Sequence, residues 1–181
     1  MVEPVEGDEL RATLRRVPSP VVVVTAKGRT ETRGITIGSF TSVALDPPLV
    51  SFNVGQDSRM FDVMESCRHF AVNVLGEGQA HLAKRFALPG ISGEQQFDSV
   101  SFTRDGRGTP FIDGVSAHLS CVPHDSIVAG DHVIYVGLVV DVWNRSDRGA
   151  ILYYQSAYRG VGKELRSREV SPVKRVSSES S

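Results

Sequence analysis

Residues 21–54 read VVVVTAKGRTETRGITIGSFTSVALDPPLVSFNV, and the fold class follows from the way this stretch alternates β-rich runs with chain breaks. Val21 to Ala26 is an almost unbroken β-branched run, the composition of a buried strand. Lys27-Gly28-Arg29 reads as a turn and Thr30 to Gly38 as a second strand. Gly38 and Ser39 interrupt the pattern, and Phe40 to Leu45 resumes it. Asp46-Pro47-Pro48 is a rigid connection, because proline fixes φ and withholds a backbone donor. From Leu49 to Val54, Val50, Phe52 and Val54 face one way and Ser51 and Asn53 the other. A strand with small polar groups on its second face borders a ligand site or, as readily, faces water.

Outward from this stretch the same signals recur. Leu10, Leu14 and Val17 share a helical face, which predicts a helix over Asp8–Val17 capped by Asp8 and ended by Pro18 and Pro20. Asp57–Ser66 and Gln79–Ala87 read as helices, the second with Leu82 and Phe86 inward and Lys84 and Arg85 at its rim. Phe70, Val72 and Val74 alternate as a strand, Ser99–Thr103 forms another, and Asp105–Pro110 is turn-rich. Two long strand patterns run over Val115–Cys121 and Ile134–Val142, with Pro123–Asp131 between them as a loop. Ile151–Tyr154 is a last short strand. About nine adjacent strands and three helices predict a mainly β, antiparallel barrel with short peripheral helices, not a βαβ sheet. Residues 1–9 and the charged, serine-rich 160–181 read as flexible ends around a single domain over 10–159.

Composition narrows the function classes. The 181 residues are 40% hydrophobic and 23% charged, an ordinary globular balance. Lys plus Arg total 20 against 21 Asp plus Glu, a net charge of −1 that argues against a nucleic-acid partner. No apolar run approaches the roughly 20 residues of a membrane helix, and the acidic Met1–Glu9 has no hydrophobic signal core, so a cytoplasmic protein without a membrane partner is expected. Cys67 and Cys121 stand apart among apolar or small residues and read as reduced, buried thiols. The five histidines form no cluster of metal-ligand spacing, so no metal is expected.

No glycine-rich dinucleotide fingerprint, phosphate loop or nucleophile elbow is present; Gly76-Glu77-Gly78 lacks the third glycine. What remains is a set of hydroxyls, an amide and a glycine around the chain breaks: Thr36, Gly38, Ser39, Thr41, Ser42, Ser51, Asn53 and Ser58. Such groups suit a flat, hydrogen-bonding ligand with a phosphate, and equally suit turn and surface chemistry. Ser58 at a helix start and the cations Arg59 and Arg85 would favour the phosphate. Gly130-Asp131-His132 places an imidazole at the head of a strand, where it stacks on a planar ring or simply faces solvent. Tyr153, Tyr154 and Tyr158 close a planar site, pack in the core, or meet a second subunit.

Taken in order, these pieces resemble the flavin reductase family, the short-chain NAD(P)H:flavin oxidoreductases that serve two-component monooxygenases. Gly34-Ile35-Thr36-Ile37-Gly38-Ser39-Phe40-Thr41-Ser42-Val43-Ala44-Leu45-Asp46-Pro47-Pro48-Leu49-Val50 resembles the family's flavin-binding segment. Phe70–Leu75, Ala83-Lys84-Arg85-Phe86-Ala87, Gly130-Asp131-His132 and Tyr153–Arg159 resemble its later motifs. The resemblance implies a split-barrel fold binding FMN or FAD, a homodimer, and a partner monooxygenase that receives reduced flavin. The implied reaction is hydride transfer from NADH or NADPH to flavin. By position Thr36, Ile37 and Gly38 would line the ring edge, and Ser39, Ser42, Ser51, Asn53, Ser58, Arg85 and Phe86 would surround the rest of the cofactor. His132 would position the nicotinamide as the catalytic residue, without donating a proton, with Tyr158 nearby. At Ile37 and Gly38 the family often carries Ala or Ser and then Ser or Asn, so the resemblance implies no side-chain hydrogen bonds to the ring there and leaves backbone contacts open. The same barrel also admits two other readings, a tightly bound FMN in an oxidase or ferric reductase and a non-catalytic flavin binder.

Overall fold

The computed structural model describes residues 2–164. The chain opens with helix α1 (Gly7–Leu14) and strands β1 (Ser19–Pro20), β2 (Val22–Lys27), β3 (Thr32–Ile37), β4 (Thr41–Leu45) and β5 (Pro48–Gly55). Helix α2 (Arg59–Ser66), strand β6 (Phe70–Val74) and helices α3 (Ala80–Phe86) and α4 (Gly93–Phe97) follow. Then come β7 (Phe102–Arg104), β8 (Pro110–Ile112), β9 (Ala117–Ala129), β10 (His132–Asn144), β11 (Ile151–Tyr154) and β12 (Ala157–Gly160). Among the described residues no helix is long and apolar enough to cross a membrane.

The main sheet has seven strands in the order β3-β2-β6-β9-β10-β5-β4, and all its pairs are antiparallel. Its two edges, β3 and β4, are consecutive in the chain, and only Gly38–Phe40 join them. Laid flat, such edges would stand roughly 29 Å apart. Three residues bridge at most about 15 Å. The sheet therefore curls until its edges approach, and Ser39 Oγ accepts the Asn53 amide across the join at 2.9 Å. The chain break read at Gly38 and Ser39 is this crossing.

The valine run owes its lack of alternation to burial on both faces. Val22, Val24 and Ala26 face a core inside the curl with Phe52, Val54, Met60, Val63, Phe70 and Val72. Val21 and Val23 face a second core built by Leu82, Ala83, Phe86, Phe97 and Ile112. Inside the curl, Phe70 meets Phe52 edge-on at 5.5 Å. The wall opposite is Gly137, where a Cβ would drive into the Phe70 ring. Gly137→Ala should therefore cost about 2 kcal/mol through overpacking, read as a lower denaturation midpoint at unchanged m-value. Cys67 and Cys121 are buried free thiols, as read from sequence, and burial pushes them to about 11 and about 12.

Several expectations are corrected. Pro123–Asp131 is not a loop. β9 continues to Ala129 and pairs with β10 through His132↔Ala129. A register shift between Val136 and Gly137 leaves His124 as the extra residue and sets Pro123 opposite Gly137, and pairing with β10 outweighs the loop signals of Pro123, Asp125 and Ser126. Gly130, at φ +63, and Asp131 make the two-residue turn. The first helix spans Gly7–Leu14 with Glu6, not Asp8, at its N-cap, and none of its residues is buried. The seventh strand begins at Phe102 rather than Ser99, whose φ of +60 interrupts extended backbone. Pro110, read as the end of a turn, instead opens Pro110–Ile112, which pairs with that strand. Helix α4, with its Ser92/Gln95 capping box, and strands β1 and β12 were not anticipated. Of the tail predicted over 160–181, residues 165–181 lie outside the described residues.

Candidate functional site

Two clefts flank the end of β3 and share Thr36. The larger, about 470 Å³, lies between β3, the head of α2 and the chain after α3. Its walls include Gly34, Thr36, Ser58, Arg59, Phe86 and Gly90. The smaller, about 190 Å³, is lined by Ser19, Pro20, Val21, Thr36, Ile37, Gly38, Tyr153 and Tyr158. β11 pairs with both β1 and β12, and this small sheet sets Tyr153 opposite Tyr158 with ring centroids 5.2 Å apart. Burial, and secondarily Tyr153, holds the Tyr158 hydroxyl above its ordinary range, so it stays a neutral donor.

The head of α2 has the chemistry of an anion seat. Ser58 is its N-cap, and its Oγ accepts the Met60 amide at 3.2 Å. That leaves the hydroxyl proton to donate outward, and the helix end adds partial positive charge. Arg59 lines the same mouth, with Asp57 beside it. Arg33, 5% exposed, forms the floor and is held by Glu31 and by the Ile91 carbonyl at 2.8 Å. Gly34 lets the Phe86 ring lie against the backbone, since a Cβ there would come within 2.6 Å of the ring. Its amide is held by Gln96 Oε1 at 3.1 Å.

His132 stands across β5 from Gly55, and a Cβ at Gly55 would lie 3.8 Å from its Nε2 and 2.8 Å from Asp57 Oδ1. The imidazole is thereby close to the Asp57 end of the larger cleft. Its Nδ1 meets Asp131 Oδ1 at 2.7 Å, which orients the exposed ring. The same contact holds the Asp131 carboxyl below its usual range.

The residues expected at the site separate into groups. Thr36, Ile37, Gly38, Ser58, Phe86 and Tyr158 line the two clefts. Ser51 and Asn53 occupy the outward face of β5 beside the edge crossing, Ser51 opposite Thr41 and Asn53 bonded to Ser39. His132 approaches from β10. Two residues have other engagements. Arg85 is spent on the Gln95 and Gln96 carbonyls at the end of α4, at 2.6 and 2.7 Å, and lines neither cleft. Ser42 sits opposite Val50 on the exposed edge strand and lines neither. The Thr36 hydroxyl donates to the Ala83 carbonyl at 2.7 Å, tying β3 to α3. Arg33, Gln96 and the 87–91 wall were missed, because no local pattern distinguishes a buried arginine in a strand from an exposed one.

Known proteins share the sequence and fold of this chain. A family model described as a flavin reductase like domain matches residues 14–162. A flavin reductase of Pseudomonas putida is 37% identical over 151 residues, covering 83% of this chain and 87% of the relative. The solved structure of a Streptomyces globisporus NADH:FAD oxidoreductase, in complex with NAD and FAD fragments, is 36% identical with a TM-score of 0.83. That match covers 92% of this chain and 99% of the other. The flavin reductase component of a bacterial two-component tryptophan halogenase is 32% identical with a TM-score of 0.80, covering 88% and 100%. The chain matches across almost its whole length, and it belongs to the flavin reductase-like family.

Proposed function

We propose that this protein reduces FMN or FAD with NADH or NADPH and passes the reduced flavin to a partner monooxygenase. The observation that carries the reading is the pair of clefts sharing Thr36, with an N-cap serine and Arg59 at the mouth of one and two tyrosines in the other. The donor set fits a flavin: a narrow glycine-lined wall for a planar ring, and hydroxyl, helix end and guanidinium for a phosphate. Ser58 and Arg59 would hold the phosphate, and the backbone of Thr36–Gly38 would border the ring. When bound, flavin supplies the hydride acceptor and nicotinamide the donor. The chain positions the two partners, and no protein acid or base is required for the hydride itself.

His132, oriented by Asp131, is assigned to the nicotinamide. His132→Ala should raise the Michaelis constant for the nicotinamide roughly tenfold while leaving flavin affinity within about twofold. Unchanged pyridine-nucleotide kinetics would remove the assignment. The overall reading is tested by steady-state oxidation of NADH and NADPH with riboflavin, FMN and FAD in turn. Turnover with exchanging flavin is expected. Flavin binding without NADH or NADPH consumption would mean a carrier, and flavin retained through dialysis would mean a prosthetic group.

The curled sheet, closed by three residues between its edges, supports a split barrel as the finer description of the fold, formed by one domain over about residues 10–159. A homodimer is supported by the exposed apolar residues Leu45, Ile127, Val128, Val142 and Trp143 on β4, β9 and β10. The buried free thiols suit a cytoplasmic setting.

A further inference from the structure

A third cleft, about 420 Å³, lies at the other end of α2 from the proposed flavin site. It is lined by the β2–β3 turn, the tail of α2 and the 105–109 turn. Ser58 and Ser66 mark the two ends of an eight-residue helix, so the clefts are about 12 Å apart along its axis. Lys27, Arg29, Arg68 and Arg107 all line this one cavity, with His69 and the buried Thr109. Among the described residues none of these four cations lies within 4.0 Å of a carboxylate. The nearby Asp105 carboxylate accepts the backbone amides of Arg107 and Thr109, at 3.0 and 2.8 Å, and sets one negative charge against the four cations.

The tail of a helix presents the equivalent of about half a negative charge, which one cation offsets. The remaining positive charge is concentrated around a concave surface, an arrangement that mutual repulsion disfavours without a counter-anion. The walls are also closely fitted. At Gly28 a Cβ would come within 2.9 Å of Ser66 Oγ, and at Gly108 within 2.9 Å of the Lys27 stem. His69 also lines the cavity, and its Nδ1 is the one buried side-chain nitrogen or oxygen without a hydrogen-bond partner among the described residues.

We infer that this cleft binds a small polyphosphate anion of the diphosphate class. Net of the helix end and Asp105, about 2.5 positive charges from three chain segments remain, more than the charge of about −1.5 to −2 that a single phosphate carries. The charge-assisted bonds that Lys and Arg make to phosphate oxygens are the strongest available to such a surface. The site is separate from the flavin cleft and does not depend on the flavin reading.

The test is calorimetric titration of the full chain with pyrophosphate, in the presence of saturating FMN so that the flavin cleft is filled. The expected result is saturable one-to-one binding that weakens as salt is raised. Arg29→Gln and Arg68→Gln, both at exposed positions, should each weaken it roughly tenfold without changing NADH-dependent turnover of FMN. A parallel titration with ADP asks what the site reads. Equal affinity means that the diphosphate alone is recognised, and tighter ADP means that the nucleoside adds contacts. Absence of saturable binding, or equal affinity in both variants and the parent chain, would overturn the proposal.

Discussion

Gly34→Val is expected to abolish flavin binding and turnover together. A Cβ at this position would lie 2.6 and 2.7 Å from two carbons of the Phe86 ring. Phe86 is 1% exposed and packs edge-on against Phe97 at 5.3 Å, so it cannot retreat into the core. The ring's remaining freedom is toward the larger cleft, which Gly34 and Phe86 both line. Displacement on the scale of 1 Å at a reacting site costs on the order of a hundredfold in rate, and a ring pushed into the cleft takes the ligand's volume as well. Stability should fall by about 2–3 kcal/mol from overpacking. FMN affinity by fluorescence quenching, NADH oxidation and a melting curve on the same preparation separate the two effects. A folded Gly34→Val protein with parental FMN affinity would show that the flavin binds elsewhere.

Asn73→Leu should produce the largest loss of stability with the least direct effect on the site. Asn73 is fully buried on β6, and its amide is completely used. Nδ2 donates to the Val23 carbonyl at 2.8 Å and to Thr25 Oγ1 at 3.0 Å, and Oδ1 accepts the Ile112 amide at 2.8 Å. Thr25 passes the network on to the Pro110 carbonyl, so one side chain ties β2, β6 and β8 together. Leucine keeps the branched heavy-atom shape with somewhat greater bulk but strands a buried amide and carbonyl, each worth roughly 1–3 kcal/mol. A loss of at least about 3 kcal/mol is expected, a fall of about 10 °C in Tm for a domain of this size. A melting curve within about 2 °C of the parent would show that the network contributes little.

Much of the fold was legible because it is written in local pattern. The alternation at Leu49–Val54 and the β-branched run at Val21–Ala26 each correspond to a strand. Ser58 was readable as a helix start for the same reason, since a cap acts within one turn. The errors fall where distant pairing outweighs local preference. Residues 123–126 are a proline followed by three polar residues, yet β10 holds the strand extended through them. Arg85 has the type and place of a phosphate ligand, and α4, whose short Ser92–Gln95 capping signal was not read as a helix start, claims its guanidinium.

Periodicity and turn chemistry were enough to determine an antiparallel β protein, and the order of its motifs carried the resemblance to the flavin reductase family. These properties depend on neighbours in sequence, which any reader of the chain has in hand. Which side chains share a cavity was decided only by tertiary structure. The curl brings β3 to β4, and the packing of α2 and α3 beside that join places Thr36, Ser58, Arg33 and Phe86 around one space. Those meetings depend on how the whole sheet closes, a property of the summed packing that no single segment contains.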